Sequence, residues 1–292
     1  MRYRLFDLVC PVRDCAQPLE IAATRAVCSR SHAFDRARSG YWNLLQPQDR
    51  RSTNPGDSKA AAQARRRLAD AGFDTPLHDA LLEIVSDLDL PWAESKPLVA
   101  LDLGCGEGGW LRRLCPLETA GATAACGVDL SQAAIELAAR RAAADGLLDI
   151  TWVVANADRT LPLSSRSFHL ATSLTARINT AEFMRVLHPE GRLVVAVAGA
   201  DDLAELRVEV LGDAIEKDRL ARVDHELGAR FERIGRESVR WTITPDAEQA
   251  GDLLAITYRG GRSGRDEKAA ALAGREITMS REVAWYQPRR SR

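Results

Sequence analysis

Long apolar runs are missing from this chain. The longest uninterrupted one, residues 193–200, is eight residues, far short of the ~20 that a membrane-crossing helix needs. The opening Met1-Arg-Tyr-Arg-Leu-Phe-Asp7-Leu has no apolar core of leader length and carries an acid within it, so export is not expected. These absences predict a cytoplasmic protein with no membrane partner. Lysine is scarce: four of the 40 basic residues are Lys and 36 are Arg. Arginine favours bidentate contacts to phosphates and bases over the point charge of an ammonium. No internal repeat is visible, and six cysteines in 292 residues are too few for a disulfide scaffold in a chain with no export signal.

What is present reads as an ordinary globular protein. Hydrophobic residues make up 46% and charged residues 28%, which excludes a disordered chain, a collagen-like repeat and a coiled-coil rod. At roughly 150 residues per domain, two domains are expected. Charge divides unevenly between them. Residues 1–72 hold 13 Lys/Arg and 7 Asp/Glu, a balance of +6, and the remainder carries −7. A basic N-terminal part on an acidic body points to a polyanion as partner.

Cysteine spacing separates the same two parts. Cys10-Pro-Val-Arg-Asp-Cys15 is followed, after twelve residues, by Cys28-Ser-Arg-Ser-His32. Two short ligand pairs joined by a loop place three thiolates and an imidazole at the corners of a tetrahedron, the Zn²⁺ pattern. Four protein ligands leave no open position, so the metal is expected to be structural. Cys105 sits inside a glycine loop and Cys115 and Cys126 fall on apolar faces; all three are expected to pack as small hydrophobes.

From residue 98 onward, apolar runs and helical patterns alternate. Strands are expected at 98–102, 124–129, 150–155, 168–173 and 192–197, and helices at 109–117, 132–144 and 180–187. This alternation predicts a parallel doubly wound sheet with helices on both faces. Residues 238–243 and 277–285 are expected to add an antiparallel edge around a helix at 246–255, with 260–264 a flexible loop. Ahead of the sheet, 58–71 and 76–88 read as helices. The division expected is a β-rich metal module at 1–45, a linker and helix at 46–75, and the α/β domain at 76–292.

The first strand runs into Asp102-Leu-Gly104-Cys-Gly106-Glu107-Gly108-Gly109. Alternate glycines let the backbone turn tightly and approach a ligand closely. An acid ahead of the loop suits a cationic amino group better than a pyrophosphate. Asp129, at the next strand end, can take both ribose hydroxyls, and Asn156 after the third strand can face an adenine edge. Together these strand ends describe a nucleoside bearing an amino acid, S-adenosylmethionine.

On these residues, 98–200 resembles the class I S-adenosylmethionine-dependent methyltransferases, whose fold is Rossmann-like. The combination with the Cys/His pattern, His32-Ala-Phe-Asp35, Gly40-Tyr-Trp-Asn-Leu-Leu45, Gly56-Asp57-Ser58, Ala64-Arg65-Arg66 and Ala71-Gly72 is more specific. It resembles the bacterial 23S rRNA guanine-N1 methyltransferases, whose zinc module meets a hairpin loop. The resemblance implies a cofactor pocket of Asp102, Gly104, Gly106, Glu107, Asp129, Leu130, Asn156 and Ala157, with Asp74 and Asp202 at its side. It implies a 23S rRNA hairpin as partner and leaves a homodimer open. Three positions depart from that family. Phe73-Asp74 stands for His-Tyr, Ala176-Arg177 for Ala-Pro, and Asp202 for a His ahead of Leu203-Ala-Glu205-Leu206.

Transfer to guanine N1 requires alignment and a departing proton. The residues expected to face the reacting methyl are 175–177 and Asp202, with Asp202 as base or cofactor ligand and Arg177 orienting base or phosphate. Tyr41 and Trp42 either stack an unpaired base or, the preferred reading, pack against the metal module. Arg65-Arg66-Arg67 follows an RNA backbone or forms a solvated helix face. Two further classes stay open: a catalytically silent RNA-binding protein that keeps the cofactor fold, and a methyltransferase of another substrate.

Overall fold

The computed structural model describes residues 5–49, 56–90, 97–116, 124–212, 218–257 and 265–289. The chain begins with three short strands, β1 (Leu19–Ile21), β2 (Arg25–Cys28) and β3 (Ala33–Asp35), paired antiparallel in that order. β4 (Trp42–Asn43) follows, then the helices α1 (Lys59–Asp70) and α2 (Thr75–Asp87). The sheet-building part runs β5 (Val99–Leu103), α3 (Gly109–Leu114), β6 (Ala124–Asp129), α4 (Gln132–Ala144), β7 (Ile150–Val154), β8 (Phe168–Leu174), α5 (Thr180–Val186) and β9 (Leu187–Ala198). It closes with α6 (Ala204–Leu211), α7 (Arg219–Leu227), β10 (Phe231–Ile243), α8 (Ala247–Thr257), α9 (Arg265–Leu272) and β11 (Ile277–Pro288).

The large sheet has eight strands in the order β10-β11-β9-β8-β5-β6-β7-β4. Strands β4 through β9 pair in parallel, and β11 pairs antiparallel with both β9 and β10. The chain leaves β5 toward β6 and β7 on one side, then returns to β8 and β9 on the other. The C-terminal ends of β5 and β8 therefore form the switch point where such sheets bind ligands. The buried run of β5 shows why the sheet is sandwiched: Val99, Leu101 and Leu103 pack into one core and Leu98 and Ala100 into the other. Alternate side chains point to opposite faces, and both faces are covered.

The expected boundary at residue 45 falls where the two parts are already joined. Trp42 bridges back to Arg36 and also pairs with Val153, making β4 the edge strand of the large sheet. The Phe6 ring lies 5.0 Å from Phe168, Leu8 bridges Leu163, and the Val9 amide donates to the Pro162 carbonyl at 3.0 Å. Cys10, Cys15 and Cys28 share one core with Leu101, Val128 and Phe183. Tyr41 and Trp42 are buried in this junction, which leaves neither free to stack a base.

The helix expected within the linker and helix at 46–75 is α1 (Lys59–Asp70). Ser58 caps α1 by accepting from the Ala61 amide at 3.2 Å, and Arg67 ties the helix to α8 through Asp252 at 2.5 and 2.7 Å. The expected 260–264 loop lies outside the described residues. Helices α7 and α9 are additions that the sequence pattern did not mark. Among the described residues no helix is long and apolar enough to cross a membrane.

Candidate metal centre and active site

The four candidate metal ligands come from two turns, one ahead of β1 and one between β2 and β3. Cys10 and Cys15 flank a turn in which the Cys15 amide donates to Val12 at 3.0 Å. Cys28 and His32 flank a second, closed by the Ser31 amide on the Cys28 carbonyl at 2.8 Å. Ser31 takes a left-handed φ of 63° to make that turn. The ligand atoms of all four residues lie within 4.8 Å of one another; Cys10 Sγ and Cys28 Sγ stand 3.4 and 3.5 Å from His32 Nδ1. Burial pushes the Cys10 thiol up to about 12. Three buried sulfurs and a nitrogen converging this closely form the closed S₃N donor set that Zn²⁺ fills, and a cation there offsets the cost of burying thiolates.

A cavity of about 680 Å³ opens at the switch point. Its lining includes Asp74, Asp102, Gly104, Gly106, Glu107, Asp129, Leu130, Asn156, Ala157, Arg177 and Asp202. The glycine loop forms its floor. Gly104 has φ 77°, and a Cβ there would sit 2.3 Å from the Ala176 methyl. Gly106 has φ 56° with nothing within 4 Å of the Cβ position, a cradle left for a ligand. Asp129 accepts from the Gly106 amide at 3.0 Å and the Ser131 amide at 2.7 Å, which fixes its carboxylate beside that cradle. Burial raises Asp129 above the usual carboxyl range, against those two amides. Asp102 is also buried and accepts from Thr172 Oγ1 at 2.7 Å; desolvation lifts it to about 7. The indole N–H of Trp110, in the first turn of α3, is buried on the cavity wall with no hydrogen-bond partner among the described residues. An open glycine cradle, a fixed strand-end carboxylate and an unpaired buried donor fit an amino-acid-bearing nucleoside.

Several expected residues carry other duties as well. Asn156 donates from Nδ2 to the Asp49 carbonyl at 2.9 Å and accepts the Asp158 amide at 2.9 Å, so its amide shapes the loop and ties down the chain before α1. Glu107 pairs with Arg141, which also pairs with Asp70, bracing the glycine loop against α4 and α1. The basic run lies on the surface of α1, each side chain paired with an acid. Arg65 lines the cavity and binds Asp57 at 2.8 Å, Arg66 lies 3.6 Å from Asp70, and Arg67 holds α8. Arg66 and Arg67 are exposed and Arg65 is half-buried, so the run is a solvated helix face whose charges are matched by neighbouring acids.

The other half of the cavity lies over β8, β9 and β11. Asp202 is buried, accepts the Ser280 amide at 3.0 Å and pairs with Arg281. Arg177 is exposed and stands 3.5 Å from Asp158. Phe73, Leu203, Leu253, Ile256 and Met279 supply apolar wall. Sequence reasoning missed His78, Trp110 and Arg281. His78 hides inside the apolar pattern of α2, where burial lowers its pKa, and Arg281 sits in a strand that reads as a solvated edge. Cys105 and Cys126 are buried and Cys115 partly so, as packing thiols would be.

Residues 100–191 match the family model described as a methyltransferase domain, and residues 8–53 match the zinc-ribbon model described as RlmA, N-terminal. Sheet order, glycine loop and zinc ribbon together define a class I S-adenosylmethionine-dependent methyltransferase with a structural zinc. The 23S rRNA (guanine(748)-N(1))-methyltransferase of Streptomyces fradiae is 31% identical over 280 residues, 94% of each chain. YxjB of Bacillus subtilis (strain 168), provisionally named a 23S rRNA (guanine-N(1)-)-methyltransferase, is 35% identical over 203 residues, 68% of this chain and 66% of that one. The chain belongs to the 23S rRNA (guanine-N1)-methyltransferase family. A chain in the solved complex between the Haloferax volcanii Trm112 methyltransferase activator and a provisionally assigned methyltransferase superposes with a TM-score of 0.50. It is 18% identical and covers 80% of this chain and all of that one, a likeness of fold alone.

Proposed function

We propose that the protein methylates N1 of a guanine in a 23S rRNA hairpin loop, in the cytoplasm where ribosomes are made. The observation that carries this reading is the fusion of a zinc ribbon into the same core as a two-sided cavity at the sheet's switch point. One side suits the cofactor and the other has room for a base.

S-adenosylmethionine supplies an electrophilic methyl group on a sulfonium. The chain's residues bind and align. Asp129 takes the ribose hydroxyls, Gly104 and Gly106 let the backbone approach, and Leu130 and Ala157 flank the adenine. Asp102 and Asp74 bear on the cationic amino-acid end, while Glu107 and Asn156 hold the loops that carry these contacts. Holding the bound cofactor and the base in one cavity, these residues would make transfer an effectively unimolecular step. Asp202 receives the N1 proton, and Arg177 draws the RNA backbone toward the cavity mouth. The exposed arginines of the zinc ribbon, among them Arg13, Arg25, Arg30 and Arg38, meet the hairpin.

The deciding experiment is mass mapping of 23S rRNA from cells with and without the gene. A single methylguanine that disappears with the gene supports the reading. An unchanged rRNA, with S-adenosylmethionine still bound by the purified protein, would instead make it a silent RNA-binding relative.

A further inference from the structure

Asp202 and Arg281 are each about nine-tenths buried, with side-chain exposures of 9% and 11%, on the acceptor wall of the cavity. Burying an ion pair gains little stability once desolvation is counted. What this pair offers is its unused atoms. Both contacts to Asp202, from the Ser280 amide and from Arg281 Nη1, go to Oδ1. Oδ2 has no partner among the described residues. Arg281 spends only Nη1 on Asp202 and on the Ser280 carbonyl at 2.8 Å, while its guanidinium lies 5.8 Å from the centre of the Trp241 ring. The neighbouring charges are already matched: Asp201 binds Arg240 at 2.8 Å, and Glu205 binds the Thr278 amide and hydroxyl at 2.8 and 2.9 Å. The pair thus presents one spare acceptor beside spare donors, with Leu203, Leu253 and Met279 lining the same half.

We infer that Asp202 and Arg281 together read the Watson–Crick edge of the target base and make it guanine. This rests on the reading proposed above. A carboxylate only accepts and a guanidinium only donates. Guanine's edge offers N1–H and N2–H as donors and O6 as acceptor, the complementary set. Adenine turns an N1 lone pair toward the carboxylate and an N6–H toward the guanidinium, so both contacts become repulsive. Unpaired bases in RNA loops are read on this edge. The same contacts serve the chemistry. The N1 proton passes to Asp202 Oδ2 while the N1 electron pair forms the bond to the methyl carbon. The carbon–sulfur bond breaks with its electron pair going to sulfur, leaving a neutral thioether. Negative charge that builds on O6 as the proton leaves faces the Arg281 donors. Arg281 is therefore a specificity-determining residue that also favours the reacting form of the base.

The test is methyl transfer to a synthetic 23S rRNA hairpin whose target base is guanine, inosine or adenine. With the unaltered protein, guanine should react and adenine should not. Inosine, which keeps N1–H and O6 but lacks the 2-amino group, should react about tenfold more slowly. Arg281→Gln should lower kcat on the guanine hairpin by about 100-fold, as removal of one charge-stabilising donor does, with KM and S-adenosylmethionine affinity little changed. Arg281→Lys should recover part of the loss. Unaltered kcat and base preference in Arg281→Gln would overturn the assignment, as would equal rates on guanine and adenine hairpins by the unaltered protein. That second arm decides even where a variant fails to fold. If the unaltered protein methylates no hairpin, the proposed function falls first, and the failure is told apart from the others by the missing guanine activity.

Discussion

The hydroxyl of Ser131 donates to the carbonyl oxygen of Asp57 at 2.7 Å, and so the chain leading into α1 is fastened across the end of β6. Gly56 sits on the same turn with φ 81°, and a Cβ there would lie 2.6 Å from the Ser131 nitrogen. Ser131 is also the residue whose amide holds Asp129. Gly56→Ala should therefore push this segment off the turn that carries Asp129. A strained left-handed residue costs on the order of 1–3 kcal/mol, and calorimetry should show S-adenosylmethionine affinity weakened by tenfold or more. Unchanged affinity would mean that the segment does not border the cofactor.

Two substitutions in the pocket should separate binding from folding. Asp129→Ala removes a charged acceptor and should weaken S-adenosylmethionine by about 1.5–3 kcal/mol. Trp110→Phe removes an N–H that has no hydrogen-bond partner among the described residues, so melting temperature should hold while affinity falls by about 1 kcal/mol, the worth of one hydrogen bond. Equal binding by the Phe variant would show that the indole donor faces no part of the cofactor.

Asp102 makes the free protein sensitive to pH. Desolvation, helped by the Asp129 charge and opposed by the Thr172 hydrogen bond, lifts its carboxyl from 3.8 to about 7. Between those values the folded chain binds a proton that the unfolded chain has released, so stability from this group falls as pH rises from about 4 to 7 and stays lost above. Asp102→Asn should melt higher than the unaltered protein at pH 8, with a ceiling of roughly 4 kcal/mol from the pKa difference, and the gap should shrink to less than half by about pH 5 and close below about pH 4. The variant should also bind S-adenosylmethionine more weakly, because the charge that burial penalises is the one facing the amino-acid end. A gap independent of pH would remove Asp102 as its source.

Much of the fold was legible because its signals are local. β6 spans 124–129 and α4 spans 132–144, as the apolar runs and the Ser131 cap indicate. The zinc ligands were legible from spacing alone. The joins between parts were not. Nothing in Phe6, Leu8 or Trp42 announces that they pack on β7 and β8, because an apolar residue in a small module reads the same whether it fills that module or docks it. Arg281 and His78 were hidden for a related reason: their neighbours in sequence are not their neighbours in the cavity. The partners of the basic run were only partly legible, because charge is visible in a sequence and an acid that pairs with it from 185 residues away, Asp252, is not.

That docking changes what loss of zinc should do. The ligand sulfurs share a core with β5, β6 and the Phe6–Phe168 contact, so the ribbon and the sheet should melt as one unit. Purified protein should carry about one equivalent of zinc. Cys28→Ser should lower that content and shift a single calorimetric transition downward, where a separately folding ribbon would give two. An unchanged zinc content in Cys28→Ser would sink the ligand assignment.

The distribution of charge makes the last prediction. Residues 1–72 carry +6, yet Arg65, Arg66 and Arg67 are committed to Asp57, Asp70 and Asp252. The charge available to a polyanion lies on the ribbon, where Arg13, Arg30 and Arg38 are exposed. Each phosphate contact releases counterions, so log K for RNA should fall with log salt, by about 0.7 per contact on a single strand. Replacing Arg13, Arg30 and Arg38 by Gln in the full chain should weaken hairpin binding and flatten that slope by up to about 2. S-adenosylmethionine affinity should not move, because these side chains lie outside the cavity. Replacing Arg65, Arg66 and Arg67 should do the reverse: lower melting temperature and cofactor affinity, with the salt slope nearly intact. A flattened slope in the Arg65–Arg67 variant, with normal stability and cofactor binding, would mean that α1 rather than the ribbon carries the RNA.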